Sequence, residues 1–187
     1  WAFVRALEQP EFTHNAMWEG YPGWVRESAL LPIPKLPEPN AVVTARWAPG
    51  WSDPAEAAAP VALPMGSRVT LLPTQREWQP VRLVTGEDGW MSRGDLQTFK
   101  ELTHLSPAQR RQAVLTTAME LLGDAYFWGG RTPTLSDAAG TRATGLDCSA
   151  LIHLAHRVAG VDIPRDAHEQ YLRARPLPGR LQMGDLV

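Results

Sequence analysis

The chain contains a single cysteine, Cys148, among its 187 residues. One cysteine cannot form an internal disulfide, so the cysteine count does not mark the redox compartment of the protein. No apolar run reaches the roughly 18 residues that a membrane-spanning helix needs, so the sequence predicts no transmembrane segment. Lys and Arg number 18 and Asp and Glu number 20. This balance gives no support to a nucleic-acid partner or to a polybasic membrane patch.

The first hundred residues have the pattern of short β-strands. In residues 1–31, "WAFVRAL" and "GWVRESAL" alternate apolar and polar residues with a period of two. Four prolines in residues 32–40 predict a stiff, extended connector. Residues 41–100 contain four further strand-like stretches, which are "AVVTARWA", "SRVTLLP", "WQPVRLVT" and "GWMSRGDL".

An internal repeat links the two strand-rich segments. "YPGWVRESAL" (21–30) and "EDGWMSRGDL" (87–96) share Gly-Trp, a following apolar residue and a final Leu. The glycines suit tight turns, and the repeat predicts that Trp24 and Trp90 enter the same kind of small core. We therefore expect two small β-barrels in tandem, the first of them partial. Two hairpins that converged on similar turns are the alternative.

The sequence pattern changes to helical after residue 100. Ser106 is a good N-cap, Pro107 suits the first helical position and Gly123 follows the apolar repeat. "CSALIHLAHRVAG" has a second helical repeat, which Gly160 ends. Together with a strand-like ending, "MGDLV", these helices predict an α+β class for residues 101–187.

Cys148 lies at the predicted start of this second helix. Free backbone N–H groups and the helix dipole favour an anion there, which lowers the pKa of a thiol. Its neighbours are small or polar, so a substrate could approach the sulfur. The residue pattern alone equally permits a buried structural cysteine, because free cysteine is often buried.

Four motifs occur in order: "DAYFWGG", "TGLDCSAL", "IPRDAHEQ" and "MGDLV". As a set they resemble the NlpC-type cell-wall cysteine peptidases. The resemblance implies a papain-like α+β domain, of which residues 101–187 are the N-terminal part, and it implies SH3-like barrels for the two preceding segments (1–31, partial, and 41–100).

The resemblance also assigns roles to particular residues. It implies that Cys148 is the nucleophile and that Tyr126 binds the oxyanion or positions the substrate. It implies substrate binding by Asp147, Ser149 and Asp166, and it implies no metal and no cofactor. Read from the residues alone, Tyr126 suits a half-buried core aromatic and Asp147 a helix cap.

Two departures from the family pattern stand out. Ala167 replaces a serine that many members have, which removes a possible hydrogen bond to substrate. The catalytic histidine of the family lies on a strand after the Gly-Asp-Leu-Val segment, and this chain ends at Val187. None of the five histidines has a suitable spacing from Cys148. We therefore expect an incomplete papain-like domain, with the histidine supplied by a C-terminal segment or a second polypeptide.

The predicted function is hydrolysis of the γ-D-glutamyl-diamino acid bond of peptidoglycan stem peptides that have a free N-terminal L-Ala. The first barrel would close the amine end of the groove, through residues near Glu19–Tyr21 or Glu27. The expected location is periplasmic, secreted or at the cell envelope, with cytoplasmic peptide recycling as the alternative. A non-catalytic cell-wall-binding protein, an amidase and an acyltransferase are the competing functions.

Overall fold

The computed structural model describes residues 1–33, 35, 37–51, 61–74, 78–135, 140 and 143–186. Pro34 and Leu36 of the predicted connector, and Val187 at the end of the last motif, lie outside the described residues. The fold is mixed α+β, with strands in the first hundred residues and helices after them. This order agrees with the change of sequence pattern near residue 100.

The first segment is a two-stranded antiparallel hairpin. It consists of β1 (Ala2–Glu11) and β2 (Glu19–Val25), with Ala2 opposite Val25 and Glu11 opposite Glu19. The register shifts between Ala6 and Pro10, where the first strand has an irregularity. We refer to residues 2–25 as the N-terminal hairpin.

The second segment is a seven-stranded sheet with the order β5-β4-β8-β7-β6-β3-β9. Its strands are β3 (Ala41–Val43), β4 (Trp47–Trp51), β5 (Val61–Pro64), β6 (Arg68–Leu71), β7 (Trp78–Arg82), β8 (Asp88–Ser92) and β9 (Leu96–Thr98). The predicted strand "AVVTARWA" is divided into β3 and β4, and β5 was not predicted. The order is open at β5 and β9, so within the described residues the strands do not close into the barrel that the sequence led us to expect.

The repeat has a matching local conformation in both copies. After β2, residues Glu27–Ala29 form one 3-10 turn, and after β8, Arg93–Asp95 form another at the equivalent positions. The prediction for Trp24 is nevertheless wrong, because this residue is 67% exposed, with its ring centre 5.3 Å from that of Phe3. The hairpin is left open to solvent at Trp24, whereas Trp90 is half-buried within the larger sheet.

The helices are α1 (Phe99–Thr103), α2 (Pro107–Glu120), α3 (Cys148–Val158) and α4 (Ala167–Arg173). Helix α2 begins as its sequence predicts, because the Ser106 hydroxyl accepts a hydrogen bond from the N–H of Gln109, and the Gln109 side-chain oxygen accepts one from the N–H of Ser106. Thr98 and Glu101 form the same capping box at α1. Neither α1 nor α4 was predicted from the sequence.

Helix α3 packs against both the sheet segment and α2. Its face formed by Ala150, Leu154 and Val158 packs with Met65, from the turn between β5 and β6, in one buried cluster. Ala155 and Ala159, on the side toward α2, pack against Val114 in another cluster. The sheet and α2 therefore hold α3 from two sides.

The N-terminal hairpin also contacts the helical segment. Arg157 of α3 is buried and pairs with Glu8 of β1, and its Nε donates to the Gly66 carbonyl at 2.7 Å. The side chain of Arg173 in α4 lies over the Trp18 ring, 4.2 Å from its centre. These contacts hold the hairpin against the C-terminal part of α3 and against α4.

Candidate active site

The loop that contains Tyr126 packs directly against the residues that lead into α3. Tyr126 bridges to Leu146, and the Leu146 N–H donates to the Ala125 carbonyl at 3.0 Å. A Cβ atom on Gly130 would lie 2.3 Å from the Gly145 carbonyl oxygen, and one on Gly145 would lie 2.4 Å from that of Ala125. The backbones approach this closely because both motifs supply glycine at the contact.

Asp147 is the N-cap of α3. Its Oδ1 accepts from the N–H of Ala150 at 2.8 Å, and its Oδ2 accepts from the N–H of Gly129 at 3.1 Å. The cap therefore connects the first turn of α3 to the loop that follows Tyr126. Cys148 is the first residue of the helix, and it is exposed rather than buried. The alternative of a buried structural cysteine is thus excluded.

A cleft of about 420 Å³ lies at this helix start. Its walls come from the N-terminal hairpin, the Tyr126 loop, the first turn of α3 and the turn before α4. The lining residues are Gln9, Tyr21, Tyr126, Trp128, Gly129, Asp147, Cys148, Ser149, Arg165, Asp166 and Ala167. All five sequence-predicted site residues are brought together in this cleft.

The side chain of Tyr126 lies at the surface of the cleft. Tyr126 is 64% exposed, and its neighbours Phe127 and Trp128 are 53% and 85% exposed. The reading of Tyr126 as a core aromatic is therefore wrong. Exposure of three consecutive aromatic residues leaves their ring faces available to a bound molecule.

Arg165 binds Asp147 with both ends of its guanidinium group. Its two terminal nitrogens lie 3.0 Å from Oδ1 and 2.8 Å from Oδ2. Burial raises the pKa of the Asp147 carboxyl, but the hydrogen bonds from Arg165 and from the backbone N–H groups of Ala150 and Gly129 outweigh it and lower the pKa overall. The cap is therefore a carboxylate at neutral pH.

Ser149 is buried, and its hydroxyl is already engaged. It donates to Asp147 Oδ1 at 3.2 Å and accepts from Arg165 at 3.0 Å. Both oxygens of Asp147 are likewise occupied by hydrogen bonds within the protein. In this arrangement the two residues form part of the frame around Cys148, and their predicted contact with substrate stays a prediction.

Asp166 is the more open carboxylate of the cleft. Its side chain is 42% exposed, and its Oδ2 accepts from the Tyr21 hydroxyl at 3.0 Å. Burial raises the pKa of Tyr21, and the hydrogen bond to Asp166 raises it further, so the phenol stays protonated and acts as the donor. This pair joins the N-terminal hairpin to the helical segment across the cleft.

The sequence predicted only approximately which hairpin residues line the cleft. Of the proposed stretch Glu19–Tyr21, Tyr21 lines the cleft, whereas Glu19 pairs with Arg5 at 2.8 Å. Glu27 lies 4.0 Å from the N-terminal amine and does not line the cleft. Arg165 was missed as a site residue, although its position between Pro164 and Asp166 in a recognised motif was a usable signal.

All five histidines are among the described residues, and none lines the cleft. His14 Nδ1 lies 2.9 Å from a carboxylate oxygen of Glu11. The side chains of His104 and His156 each contact the backbone carbonyl four residues earlier, at Lys100 and Ile152. His168 is exposed on α4. His153 is buried. Burial is the largest cause that lowers its pKa to about 3, and the positive charges of Arg131, Arg157 and Arg165 lower it further.

The described residues contain no group of three or more His, Cys, Asp or Glu side chains that could hold a metal ion. In the same part of the chain, no helix has both the length and the apolar character needed to cross a membrane.

Comparisons with known proteins show which family the chain resembles. Residues 123–187 match the model of the NlpC/P60 family. A curated protein named dipeptidyl-peptidase 6, from Lysinibacillus sphaericus, is 32% identical over 118 residues, which are 59% of this chain and 38% of that protein. A crystal structure of an NlpC/P60 family protein from Bacillus cereus has a TM-score of 0.74 and 26% identity, and the alignment covers 97% of this chain and 57% of that one. The chain thus spans little more than half of the solved relative and less than half of the curated one.

Proposed function

We propose that this chain is part of a cell-wall cysteine peptidase of the NlpC/P60 type, with Cys148 as the nucleophile. The observation that carries the proposal is the exposed thiol of Cys148 at the start of α3, inside a cleft that also contains Tyr126. The match of residues 123–187 to the family model supports it, as does the curated name of a relative that is a peptidase.

The proposed reaction cleaves the amide between γ-D-Glu and the diamino acid of a peptidoglycan stem peptide. The Cys148 thiolate attacks the γ-carbonyl carbon, the amine of the diamino acid leaves with a proton, and water then hydrolyses the thioester. Cys148 is the first residue of α3, and the free N–H groups of a helix start stabilise a negative charge such as the one that develops in this reaction. Tyr126 is proposed to contact the substrate or its oxyanion, which is supported by its position in the lining of the same cleft as Cys148.

The N-terminal amine of the substrate is proposed to lie at the hairpin side of the cleft. Asp166 provides a partly exposed carboxylate there, and Tyr21 of β2 orients it. An ammonium group pairs strongly with a carboxylate that is already held in place. This arrangement favours Asp166 over Asp147 as the amine partner, because the oxygens of Asp147 already accept hydrogen bonds from the protein.

The general base is proposed to lie outside residues 1–187. A cysteine peptidase needs a group that accepts the thiol proton and later protonates the leaving amine. None of the five histidines, all of them described, lines the cleft with Cys148. A C-terminal segment or a second polypeptide would then supply the histidine. A cell-wall substrate also suits a location at the envelope or outside the cell, or peptide recycling in the cytoplasm.

The test uses the full-length protein and the peptide L-Ala-γ-D-Glu-diaminopimelate with a free amine. Wild-type protein should release L-Ala-D-Glu and the diamino acid, detected by mass spectrometry. Cys148→Ala should abolish this turnover because it removes the nucleophile. Lys100→Ala, at an exposed position on α1, is the matched control and should keep the wild-type rate.

Different products separate the competing functions. Release of an intact stem peptide from a sugar would indicate an amidase, and transfer of the acyl group to an added amine would indicate an acyltransferase. Wild-type turnover by a correctly folded Cys148→Ala protein would contradict the assignment of the nucleophile. Binding to purified cell wall with no cleavage of any kind would favour the non-catalytic alternative.

A further inference from the structure

The carboxylate of Asp147 lies directly beside the proposed nucleophile in the chain. An uncompensated negative charge at this point would disfavour a thiolate on Cys148, because like charges repel. It would also cancel part of the stabilisation that the helix start gives to a negative charge on the neighbouring sulfur. A cap that is a carboxylate therefore helps the nucleophile only if another group offsets its charge.

Arg165 is the residue that meets this carboxylate. The two terminal nitrogens of its guanidinium group lie 3.0 Å and 2.8 Å from the two oxygens of Asp147. This is the two-point geometry that makes arginine–carboxylate pairs both strong and directional. The side chains are only 6% and 12% exposed, so solvent screens the pair less than an ordinary surface ion pair.

Arg165 also joins three other parts of the site. The guanidinium donates to the Ser149 hydroxyl at 3.0 Å and reaches the Gly130 carbonyl at 3.4 Å. The backbone N–H of Arg165 donates to the Pro10 carbonyl of β1 at 3.3 Å. One residue thus connects the first turn of α3, the loop after Tyr126 and the N-terminal hairpin.

We infer that Arg165 is a positioning residue, which holds the Asp147 cap at the start of α3 and offsets its charge beside Cys148. The other ionisable groups in the cleft are Tyr21 from the hairpin, Tyr126 from its loop and Asp166 before α4. Arg165 is the one cationic side chain that lines the cleft among the described residues. The inference rests on the proposed role of Cys148 as the nucleophile.

The first experiment measures the reactivity of Cys148 without any peptide substrate. Full-length wild type, Arg165→Gln, Arg165→Lys and the double variant Asp147→Asn/Arg165→Gln are alkylated with iodoacetamide across a pH series. Mass spectrometry of the peptide that contains Cys148 gives the rate at each pH, and circular dichroism checks the fold.

Each variant has a distinct expected result. In Arg165→Gln the pH midpoint of alkylation should rise by about one unit, which is a tenfold smaller thiolate fraction at a fixed lower pH. The double variant should return the midpoint to the wild-type value, because asparagine caps a helix as well as aspartate and has no charge to offset. Arg165→Lys keeps the charge but loses the two-point contact, so its midpoint should stay close to wild type.

Turnover of the stem peptide adds a second readout. Arg165→Lys should lower kcat about tenfold through the displaced cap, a change of roughly 1.4 kcal/mol in the barrier, with a smaller change in KM. An unchanged midpoint in folded Arg165→Gln would overturn the inference. So would a double variant that fails to restore the midpoint, and so would a shift in Arg165→Lys as large as in Arg165→Gln. If Arg165→Gln does not fold, Asp147→Asn with Arg165 in place takes its position in the comparison: its midpoint should fall below that of wild type because the guanidinium charge is then no longer offset, and an unchanged midpoint would overturn the inference.

The two proposals fail in different ways. Alkylation reports on the thiol whether or not the protein hydrolyses a peptide. A pH shift that is present in a protein without peptidase activity would refute the proposed function and leave the role of Arg165 standing. Peptidase activity with no shift of the alkylation midpoint among the variants would refute the role of Arg165 and leave the proposed function standing.

Discussion

Replacement of Gly145 by alanine tests the close backbone contact that holds the site together. Gly145 does not have a positive φ, so alanine can adopt its backbone conformation and the effect of the change is steric. The new Cβ would lie 2.4 Å from the Ala125 carbonyl oxygen and 3.0 Å from the Phe127 Cβ. Since the first obstacle is backbone, a side-chain rotation cannot relieve it.

The expected cost follows from this geometry. The Ala125 oxygen must move by about 1 Å to restore ordinary contact, and the same oxygen accepts the Leu146 N–H at 3.0 Å. Overpacking of this kind costs about 2 kcal/mol, and loss of the hydrogen bond adds about 1 kcal/mol. We therefore expect Gly145→Ala to lower the free energy of unfolding by about 3 kcal/mol and to displace the Tyr126 loop from Cys148.

The measurement is denaturant unfolding of the full-length protein, together with stem-peptide turnover. Gly23→Ala is the matched control, because a Cβ at Gly23 meets nothing within 4 Å and its φ is not positive. The control should unfold within about 0.5 kcal/mol of wild type. If Gly145→Ala has wild-type stability and turnover, the two motifs do not pack backbone against backbone, and the account of the site is wrong.

Four further predictions concern substrate and base. N-acetylation of the L-Ala amine should reduce kcat/KM at least tenfold, and equal rates on free and acetylated peptides would count against amine recognition. Asp166→Asn should raise KM for the free peptide but leave the acetylated one unaffected, as measured by steady-state kinetics on both peptides. Residues 1–187 expressed alone should show no stem-peptide hydrolysis beside an active full-length protein. His168→Ala in the full-length protein should retain wild-type turnover, and its inactivity would identify His168 as the base.

The local signals in the sequence predicted the helical elements near the site well. Ser106 and Pro107 begin α2, and Asp147 caps the helix that starts at Cys148, because capping depends on residues within one turn. The short helices α1 and α4 and the strand β5 were missed. Segments of four to seven residues contain too few periodic positions for a pattern to stand out.

The packing partners of individual residues could not be predicted. Trp24 and Trp90 have the same local sequence, yet Trp24 is exposed on a two-stranded hairpin and Trp90 is half-buried in a seven-stranded sheet. Burial depends on which layers cover a strand, and a local repeat does not contain that information. The same limit explains why the sequence predicted a partial barrel and a second barrel where the described strands form a hairpin and an open sheet.

By itself, the sequence determined that Cys148 would begin a helix, because helix capping depends on residues within one turn. The association of Tyr126 and Asp166 with Cys148 came from the resemblance of the motifs to a known family. Only the tertiary structure decided that Tyr21, among the hairpin residues proposed from the sequence, lines this cleft from more than a hundred residues away, and that Arg165 pairs with Asp147. Both contacts cross between separate elements, and long-range pairing of this kind follows from how the hairpin, α3 and the turn before α4 pack together.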